Sequence, residues 1–263
     1  MIAPYDEIKA ISWSSLRHMA TSPLLYKWRL DHPREDTATL IVGSAIHCAI
    51  LEPDKFSARY AVYAEGRRGK AWDEWQAEHH GVASLKPAEL ERINATAKAV
   101  RGHKVASRIL SACRKEEPLT WVDPVTGLAC KGRVDAISPV YVADLKSARD
   151  VDPHRFTRHA AAMLYFGQLA WYGDGAIVAG RIPRDAALPY IVAAQSDEPY
   201  DVAVYQLSPE AMIAGRTLYC RLLQRLLQCT EANWWPGVAP DLEYLSLPPW
   251  AEGQSISTDN EEF

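Results

Sequence analysis

Three charged residues, Asp135, Asp144 and Lys146, lie in a stretch of sequence that otherwise predicts two buried β-strands. A charged side chain in a protein interior costs several kcal/mol unless it is paired or binds a metal. Residues i and i+2 of a strand share a face, so Asp144 and Lys146 project together, and pairing of the two strands brings Asp135 near Asp144. The spacing therefore predicts that the three side chains converge.

Two carboxylates at one end of a sheet suit a hard divalent cation such as Mg²⁺, which prefers oxygen ligands. A lysine beside them can position or deprotonate an attacking water, or neutralise a phosphate. The three residues together predict a site for phosphodiester hydrolysis. The alternative is a solvated Asp-x-Lys ion pair on a strand, which is the commoner case and contributes less than about 1 kcal/mol.

The flanking sequence predicts the elements that position these residues. Ser12, Asp152 and Ser208 have the side chains of helix N-caps, and Pro153 and Pro209 follow as first helical residues. Alternating segments on either side of Asp123–Gly127 predict a β-hairpin. We predict helices, a central sheet, one helix after the third strand, further strands and a last helix. This order indicates an α/β fold with a central mixed β-sheet flanked by helices.

The chain has 263 residues, of which 48% are hydrophobic, and a formal net charge of −4. This length predicts a single domain over 1–263, mainly helical over 1–110, with the catalytic sheet and helices over 111–250 and a flexible tail over 251–263. The charge excludes a generally basic nucleic-acid binder, so contacts with DNA would need local basic patches.

Cysteine usage and hydropathy predict a soluble protein of a reducing cytoplasm. The five cysteines are scattered and contain no Cys-x-x-Cys pair, which argues against zinc, an iron–sulfur cluster or a disulfide framework. The first residues lack the apolar segment of a signal peptide, and no run of about 18 apolar residues predicts a membrane span.

Several motifs occur in a fixed order along the chain: Gly43-x-x-x-His47, the run GLACKGRVD ending at Asp135, Asp144-Leu145-Lys146, Gln168-x-x-x-Tyr172 and the closing LEYLSLPPWA. In this order they resemble the PD-(D/E)-x-K nuclease superfamily, and more closely its RecE-type (exonuclease VIII) branch, also grouped with the RecB-like nucleases. The resemblance covers roughly residues 11 to 251 and implies a restriction-endonuclease-like core. Each motif alone is weak.

The resemblance implies roles for individual residues. Asp135 and Asp144 would ligate Mg²⁺, with Mn²⁺ as a substitute, and Lys146 would orient or activate the water. His47 would be a metal ligand or phosphate contact, with Gly43 permitting close approach of the helix; the alternative is an ordinary core histidine. Glu116, just before the first strand, would complete the metal shell, although Glu117 competes for that role.

Further residues would hold DNA. Gln168 would contact a phosphate or the attacking water and Tyr172 would support it, since both lie on one helical face; the alternative is an ordinary polar stripe. Arg133 would contact a phosphate or simply be an outer-face charge. A second candidate for DNA contact is a basic and aromatic cluster formed by Arg67, Arg68, Lys70, Trp72 and Trp75. A solvated loop followed by an amphipathic helix explains the same residues equally well.

The activity implied is that of a divalent-metal-dependent 5′-to-3′ exodeoxyribonuclease that degrades linear duplex DNA from an end and leaves 3′ single-stranded tails. The resemblance also implies a homo-oligomeric ring, with a tetramer favoured, and a single-strand-annealing partner of the RecT kind in phage or prophage recombination within a bacterial cell. The alternatives are an endonuclease or flap-type nuclease of the same fold, and a DNA-end-binding module without catalysis.

Overall fold

The computed structural model describes residues 5–33, 35, 37–184 and 186–248. The predicted flexible tail, 251–263, and the last residues of the LEYLSLPPWA motif lie outside these ranges. Residues 1–4, at the start of the segment considered for a signal peptide, also lie outside, whereas all candidate site residues lie inside.

The helices begin where polar caps stand in the sequence. The side chains of Ser12, Asp152 and Ser208 each accept a backbone N–H of the following turn, which confirms the three predicted helix starts. No helix in the described ranges is long and apolar enough to cross a bilayer. The α-helices are α1 Trp13–Leu16, α2 Pro23–Asp31, α3 Ala38–Leu51, α4 Phe56–Arg59, α5 Lys70–Glu78, α6 Pro87–Gly102, α7 Lys104–Ser111, α8 Pro153–Ala162, α9 Tyr165–Val178 and α10 Pro209–Ala232.

The strands form one mixed sheet and a separate two-stranded pair. The main sheet has the order β1-β5-β6-β7-β8, with β4 also paired to β5, and β2 pairs with β3. The β1–β5 and β6–β7 pairs are parallel, and the other pairs of the main sheet are antiparallel. The strands are β1 Ile11–Ser12, β2 Tyr60–Val62, β3 Ala83–Leu85, β4 Arg114–Val122, β5 Ala129–Ile137, β6 Tyr141–Ala148, β7 Leu188–Gln195 and β8 Val202–Gln206.

The predicted hairpin joins β4 to β5. The Asp123 carboxylate accepts the backbone N–H groups of Val125 and Thr126, and Gly127 adopts a φ of 70°, a conformation that glycine favours. The short strands β1, β2 and β3 were not predicted, because strands of two or three residues show no periodicity.

The chain between β6 and β7 forms two helices, whereas the sequence predicted one. Leu164 interrupts the helix with a φ of 58°, in the left-handed region that an α-helix cannot continue through. No glycine or proline marks this position, so the sequence carries no local signal for the break. The second helix, α9, contacts β4, β5, β6 and β7, and so brings Gln168 and Tyr172 over the sheet.

Helices cover both faces of the sheet. On one face α9 and α10 pack a core that includes Leu169, Trp171 and Leu223. On the other face α3 and α6 pack a core that includes Ile46 and Ile93. This arrangement confirms the predicted α/β architecture with a central mixed sheet flanked by helices.

Gly215 allows α10 to approach α9 closely, since a Cβ at this position would lie 2.3 Å from the backbone oxygen of Phe166. We expect Gly215→Ala to lower the free energy of unfolding by about 1–3 kcal/mol, because backbone cannot move aside cheaply. Urea denaturation would measure this change. The matched control is Gly102→Ala, where nothing lies within 4 Å of the added Cβ, so stability should be unchanged or slightly higher. Equal effects of the two substitutions would contradict the prediction.

Candidate active site

The candidate site lies in an opening along one edge of β5. This edge pairs with β6 only through Ala136 and Ile137, and with β1 only through Cys130 and Lys131. Between these two short contacts, within the described part of the chain, residues 132–135 have no strand partner on that edge. Side chains can therefore occupy the space that a continuous ladder would fill with backbone.

Asp135, Asp144 and Lys146 meet in this opening. The Asp135 carboxylate accepts the backbone N–H of Leu145 at 2.8 Å, and the Lys146 Nζ lies 2.5 Å from the Asp144 carboxylate. The register of Ala136 with Ala143 places Asp135 opposite Asp144. The Asp144 side chain is only 2% exposed, so the alternative of a solvated surface ion pair is excluded.

Burial and the charges of neighbouring groups together raise the pKa values of all three residues. Burial raises the pKa of Asp144 to about 6, against the opposing effect of Lys146, and it also raises the pKa of Asp135. Burial alone would lower the pKa of Lys146, but the adjacent Asp144 and Asp135 outweigh it, and the net shift is upward. Lys146 is therefore an ammonium at neutral pH, with a positive charge and no free lone pair.

His47 reaches the site from α3. Its Nδ1 lies 3.7 Å from the Asp135 carboxylate, and burial, followed by the charge of Lys146, lowers the pKa of His47 to about 4. The imidazole is thus neutral near pH 7, and one ring nitrogen keeps a lone pair that could bind a metal ion. The role predicted for Gly43 is not supported, because a Cβ there would meet only Ser147 Oγ at 3.5 Å, an ordinary contact.

The structure separates Glu116 from Glu117. The β4–β5 register places Glu116 opposite Asp135, with a φ of 50°, whereas Glu117 pairs with Arg114 at 3.2 Å and Arg181 at 3.6 Å. Burial and then Asp135 raise the pKa of Glu116 to about 7. Glu116 lies inside β4, not before the first strand of the hairpin as predicted.

Arg133 lies at the border of the site. Its Nε is 3.2 Å from the Glu116 carboxylate, and its side chain is half exposed. The guanidinium therefore partly neutralises Glu116 and still faces solvent, where a phosphate could reach it.

Gln168 and Tyr172 form a bonded pair on α9, as their spacing predicts. The Gln168 Nε2 donates to the Tyr172 hydroxyl at 3.2 Å. A Cβ at Gly132 would lie 3.0 Å from the Tyr172 ring, so the glycine of the GLACKGRVD run makes room for this tyrosine. Burial, then Asp144 and Asp135, raise the pKa of Tyr172 well above 10, which keeps it a neutral phenol.

Two residues near the site were missed by the sequence reasoning. The Lys146 Nζ lies 4.7 Å from the centre of the Tyr165 ring, a cation–π contact. Arg17, in the 3₁₀ turn Arg17–Ala20, lowers the pKa of Tyr165 against the larger effect of burial, which places its charge near this ring. Neither belongs to a motif, and Tyr165 is brought to the site by the unpredicted break at Leu164.

The partners of the basic and aromatic cluster, within the described ranges, are residues other than Asp135, Asp144 and Lys146. Arg67 donates to the Ser84 carbonyl at 2.8 Å and to Glu89 at 3.3 Å, so its guanidinium is engaged within the protein, and its contact with DNA stays a prediction. The Trp72 and Trp75 rings stack on each other with centroids 5.3 Å apart, and both pack at a tilt against Tyr63, which resembles a small core more than a free stacking platform. Arg68 and Lys70 are exposed, and Lys70 pairs with Glu74.

The donor set suits a hard divalent cation, although it is not arranged as a finished metal centre. Within the described ranges no three His, Cys, Asp or Glu side chains already converge on one point. Asp135 is engaged by Leu145 N–H and Asp144 by Lys146. Burial nevertheless raises the pKa of Glu116, Asp135 and Asp144, so a cation bound nearby would stabilise their ionised forms. Carboxylate oxygens are also the ligands that Mg²⁺ and Mn²⁺ prefer. The residues therefore fit such an ion.

A cavity of about 570 Å³ adjoins the site. It is lined by the end of β6, by Arg149 directly after that strand, by the first half of α3 and by residues of α8 that include His159. His159 Nε2 lies 3.4 Å from the Tyr165 hydroxyl, so the cavity wall continues to the ring beneath Lys146. Arg149 is exposed, and within the described ranges its guanidinium forms no hydrogen bond or ion pair.

The raised pKa of Glu116 predicts a pH-dependent stability for the metal-free protein. The folded state keeps this proton up to about pH 7, whereas the unfolded chain releases it near 4.5, so stability is lost as pH rises through this window. Asp144, raised from 3.8 to about 6, acts in the same direction. We expect Glu116→Gln to flatten the decline, measured as the melting temperature from pH 4 to 8 in a chelator.

Glu117→Gln is the matched control, because Glu117 adjoins Glu116 in β4 but makes different ion pairs. It should leave the pH dependence in place. An unchanged slope in Glu116→Gln would show that Glu116 does not hold the extra proton.

Comparison with known proteins supports the fold. The sequence model of one family, described as "PDDEXK-like domain of unknown function (DUF3799)", matches residues 12–248. The structure is similar to a crystal structure from Eubacterium rectale named "Putative exonuclease", with a TM-score of 0.65, 13% identity, and coverage of 97% of this chain and 100% of that chain. No curated protein matches the chain. These findings confirm the predicted restriction-endonuclease-like fold.

Proposed function

The chain belongs to the family of PDDEXK-like domains, and from this membership we propose that it is a divalent-metal-dependent exodeoxyribonuclease. The observation that carries the proposal is the buried group of Asp135, Asp144 and Lys146, in which Lys146 Nζ lies 2.5 Å from Asp144. Burial of two carboxylates and a lysine together costs free energy, and such groups of buried ionisable residues are typical of functional sites.

Each residue has a defined task in this proposal. Asp135 and Asp144 would hold the ion, with Glu116 and the neutral His47 as further ligands. The ion, Mg²⁺ or Mn²⁺, would supply Lewis-acid stabilisation of charge on the scissile phosphate. Lys146, as an ammonium, offsets the negative charge that develops on the phosphate and orients the attacking water. Gln168, fixed by Tyr172, contacts the same phosphate.

The path of the DNA is proposed from the exposed cations around the site. Arg133 lies at one border of the site, and Arg149 lines the adjoining cavity. Phosphates of the strand on either side of the scissile bond would contact these guanidinium groups. Arg68 and Lys70 stay candidates for contacts with more distant duplex.

The finer features of the proposal are supported by the order of motifs, which resembles the RecE type. They are attack on linear duplex ends, 5′-to-3′ polarity and release of 3′ single-stranded tails. They also include a ring-shaped homo-oligomer, with a tetramer favoured, and transfer of the tails to a single-strand-annealing protein of the RecT kind. We place this activity in the bacterial cytoplasm, in phage or prophage recombination.

The test is digestion of linear duplex labelled at either the 5′ or the 3′ end, with Mg²⁺ and with Mn²⁺, beside covalently closed circular DNA. We expect mononucleotide release from the 5′ label first, and intact circles. Cleavage of the circles would favour an endonuclease or flap-type nuclease. Binding of ends without cleavage under either metal would favour a non-catalytic end-binding module.

A further inference from the structure

The segment after α10 leaves the body of the protein as an apolar arm, residues 237–248. Leu242, Tyr244 and Leu245 are 87–97% exposed, and Val238 and Leu247 are also exposed. Soluble proteins seldom leave large side chains this exposed in a continuous group unless a partner covers them. The arm has no helix or strand.

The root of the arm is fixed to α2. The backbone N–H of Leu24 donates to the Pro236 carbonyl at 3.0 Å, and the Trp235 ring stacks on Tyr26 with centroids 6.1 Å apart. Pro240 restricts the backbone beyond this anchor, which lowers the entropy lost when the arm docks. An extended arm of this length reaches up to about 40 Å from its root, far enough to contact another molecule.

The same chain also presents an uncovered apolar face. On α2, Leu24 and Trp28 are one helical turn apart and are 53% and 46% exposed. The Lys27 Nζ lies 5.7 Å from the centre of the Trp235 ring, beside this face, and the Arg29 guanidinium lies 4.7 Å from the centre of the Trp28 ring. The α2 helix has a net positive charge, because Lys27 and Arg29 outnumber Asp31. The arm has a net negative charge, because its only charged residues are Asp241 and Glu243.

We propose that the arm of one copy docks on the α2 face of a second copy. Both surfaces belong to one chain, both are apolar, and their charges are of opposite sign. Only Gly237 at the start of the arm lies beside Leu24 of its own chain, and in the described residues Leu24 and Trp28 stay about half exposed. A second copy supplies the missing surface for each, and repetition of the contact around an axis generates a closed ring.

The area is sufficient for a stable contact. Five large apolar side chains can bury roughly 100 Å² each, and the receiving face loses a similar area. Each arm contact of the ring would then bury on the order of 1,000 Å², at the lower limit of specific protein interfaces. This inference rests on the self-association in the proposed function and is independent of the nuclease chemistry.

The first experiment measures mass by light scattering. We expect the wild-type chain to be oligomeric, and Leu242→Asp/Leu245→Asp in the arm and Leu24→Asp on α2 each to weaken association at least about 100-fold. An acidic residue in the first turn of α2 is compatible with the helix. Ile213→Asp on α10 is the matched control, because Ile213 is 60% exposed, close to the 53% of Leu24, and lies outside both surfaces; it should leave the mass unchanged.

The second experiment identifies the contact. Two differently tagged chains, one with Leu245→Cys and the other with Leu24→Cys, are mixed and oxidised, with each chain alone as the control for the natural cysteines. A disulfide-linked heterodimer is expected only if the arm of one copy reaches α2 of the other. An oligomer without this crosslink, or one that survives the arm substitutions, would overturn the arm contact alone. A monomeric wild type would overturn the self-association as well, while the cleavage assay tests the chemistry separately.

Discussion

Asp144→Ala is expected to abolish cleavage of linear duplex DNA, with a loss of at least about 10³-fold in rate. The substitution removes a buried carboxylate oxygen from the position where the proposed ion must bind. It also removes the partner that holds Lys146 in place at 2.5 Å. Loss of both effects in one change makes this the largest expected effect on activity.

The fold should survive the change. In the metal-free protein, Asp144 and Asp135 share the single charge of Lys146, and burial raises the pKa of both carboxyl groups. Removal of Asp144 leaves Asp135 with Lys146 as a neutral pair, so no buried charge is left uncompensated. We therefore expect a melting temperature in chelator within a few degrees of the wild type.

Stabilisation by added metal separates binding from catalysis. An ion that binds only the folded state raises the melting temperature of the wild type with its concentration, and Asp144→Ala should lose most of this rise. Asp54→Ala, an exposed aspartate in the turn after α3, is the control and should match the wild type in both assays. Near-normal digestion by Asp144→Ala would remove Asp144 from the mechanism.

Lys146→Met should lower the rate of cleavage by about 10²–10⁴-fold while DNA binding is largely kept. The apolar replacement retains the length of the side chain above the Tyr165 ring but lacks the ammonium. The proposed function of that charge is to offset charge that develops during reaction, so its loss should appear in kcat more than in KM.

The pH profile tests whether Lys146 acts through its charge. The lysine opposes the rise in the pKa of both Asp135 and Asp144. Without it, the carboxyl groups should hold their protons to higher pH, so residual activity and metal-induced stabilisation should both begin at higher pH. Lys115→Met, an exposed lysine on β4, is the matched control and should leave rate and profile unchanged. A normal rate in Lys146→Met would contradict the assignment.

The sequence determined the features that depend on residues close together in the chain. The caps at Ser12, Asp152 and Ser208 start helices because a side chain satisfies backbone N–H groups two or three residues ahead. The i, i+2 spacing of Asp144 and Lys146 and the i, i+4 spacing of Gln168 and Tyr172 set which side chains share a face. These rules are local, and they led to the α/β fold and to the central group of the site.

Other features depend on contacts that only the folded chain makes. Glu116, and not Glu117, lies beside Asp135 because of the β4–β5 register and the left-handed φ of Glu116. Two adjacent glutamates in a sequence predict neither the register nor this φ. The helix break at Leu164 places the Tyr165 ring beside Lys146, but no glycine or proline at this position predicts the break. Arg67 belongs to a basic run in the sequence, yet it is held by Ser84 and Glu89.

The charge states of the site are also a property of the tertiary structure. The sequence left open whether Lys146 is an ammonium or a base, because burial and neighbouring carboxylates shift its pKa in opposite directions. Only the packed structure shows that Asp144 and Asp135 outweigh burial at Lys146, whereas burial prevails at His47 and Glu116. Residue types and spacing thus determined which groups meet, and the balance of desolvation and charge in the folded protein decided their protonation.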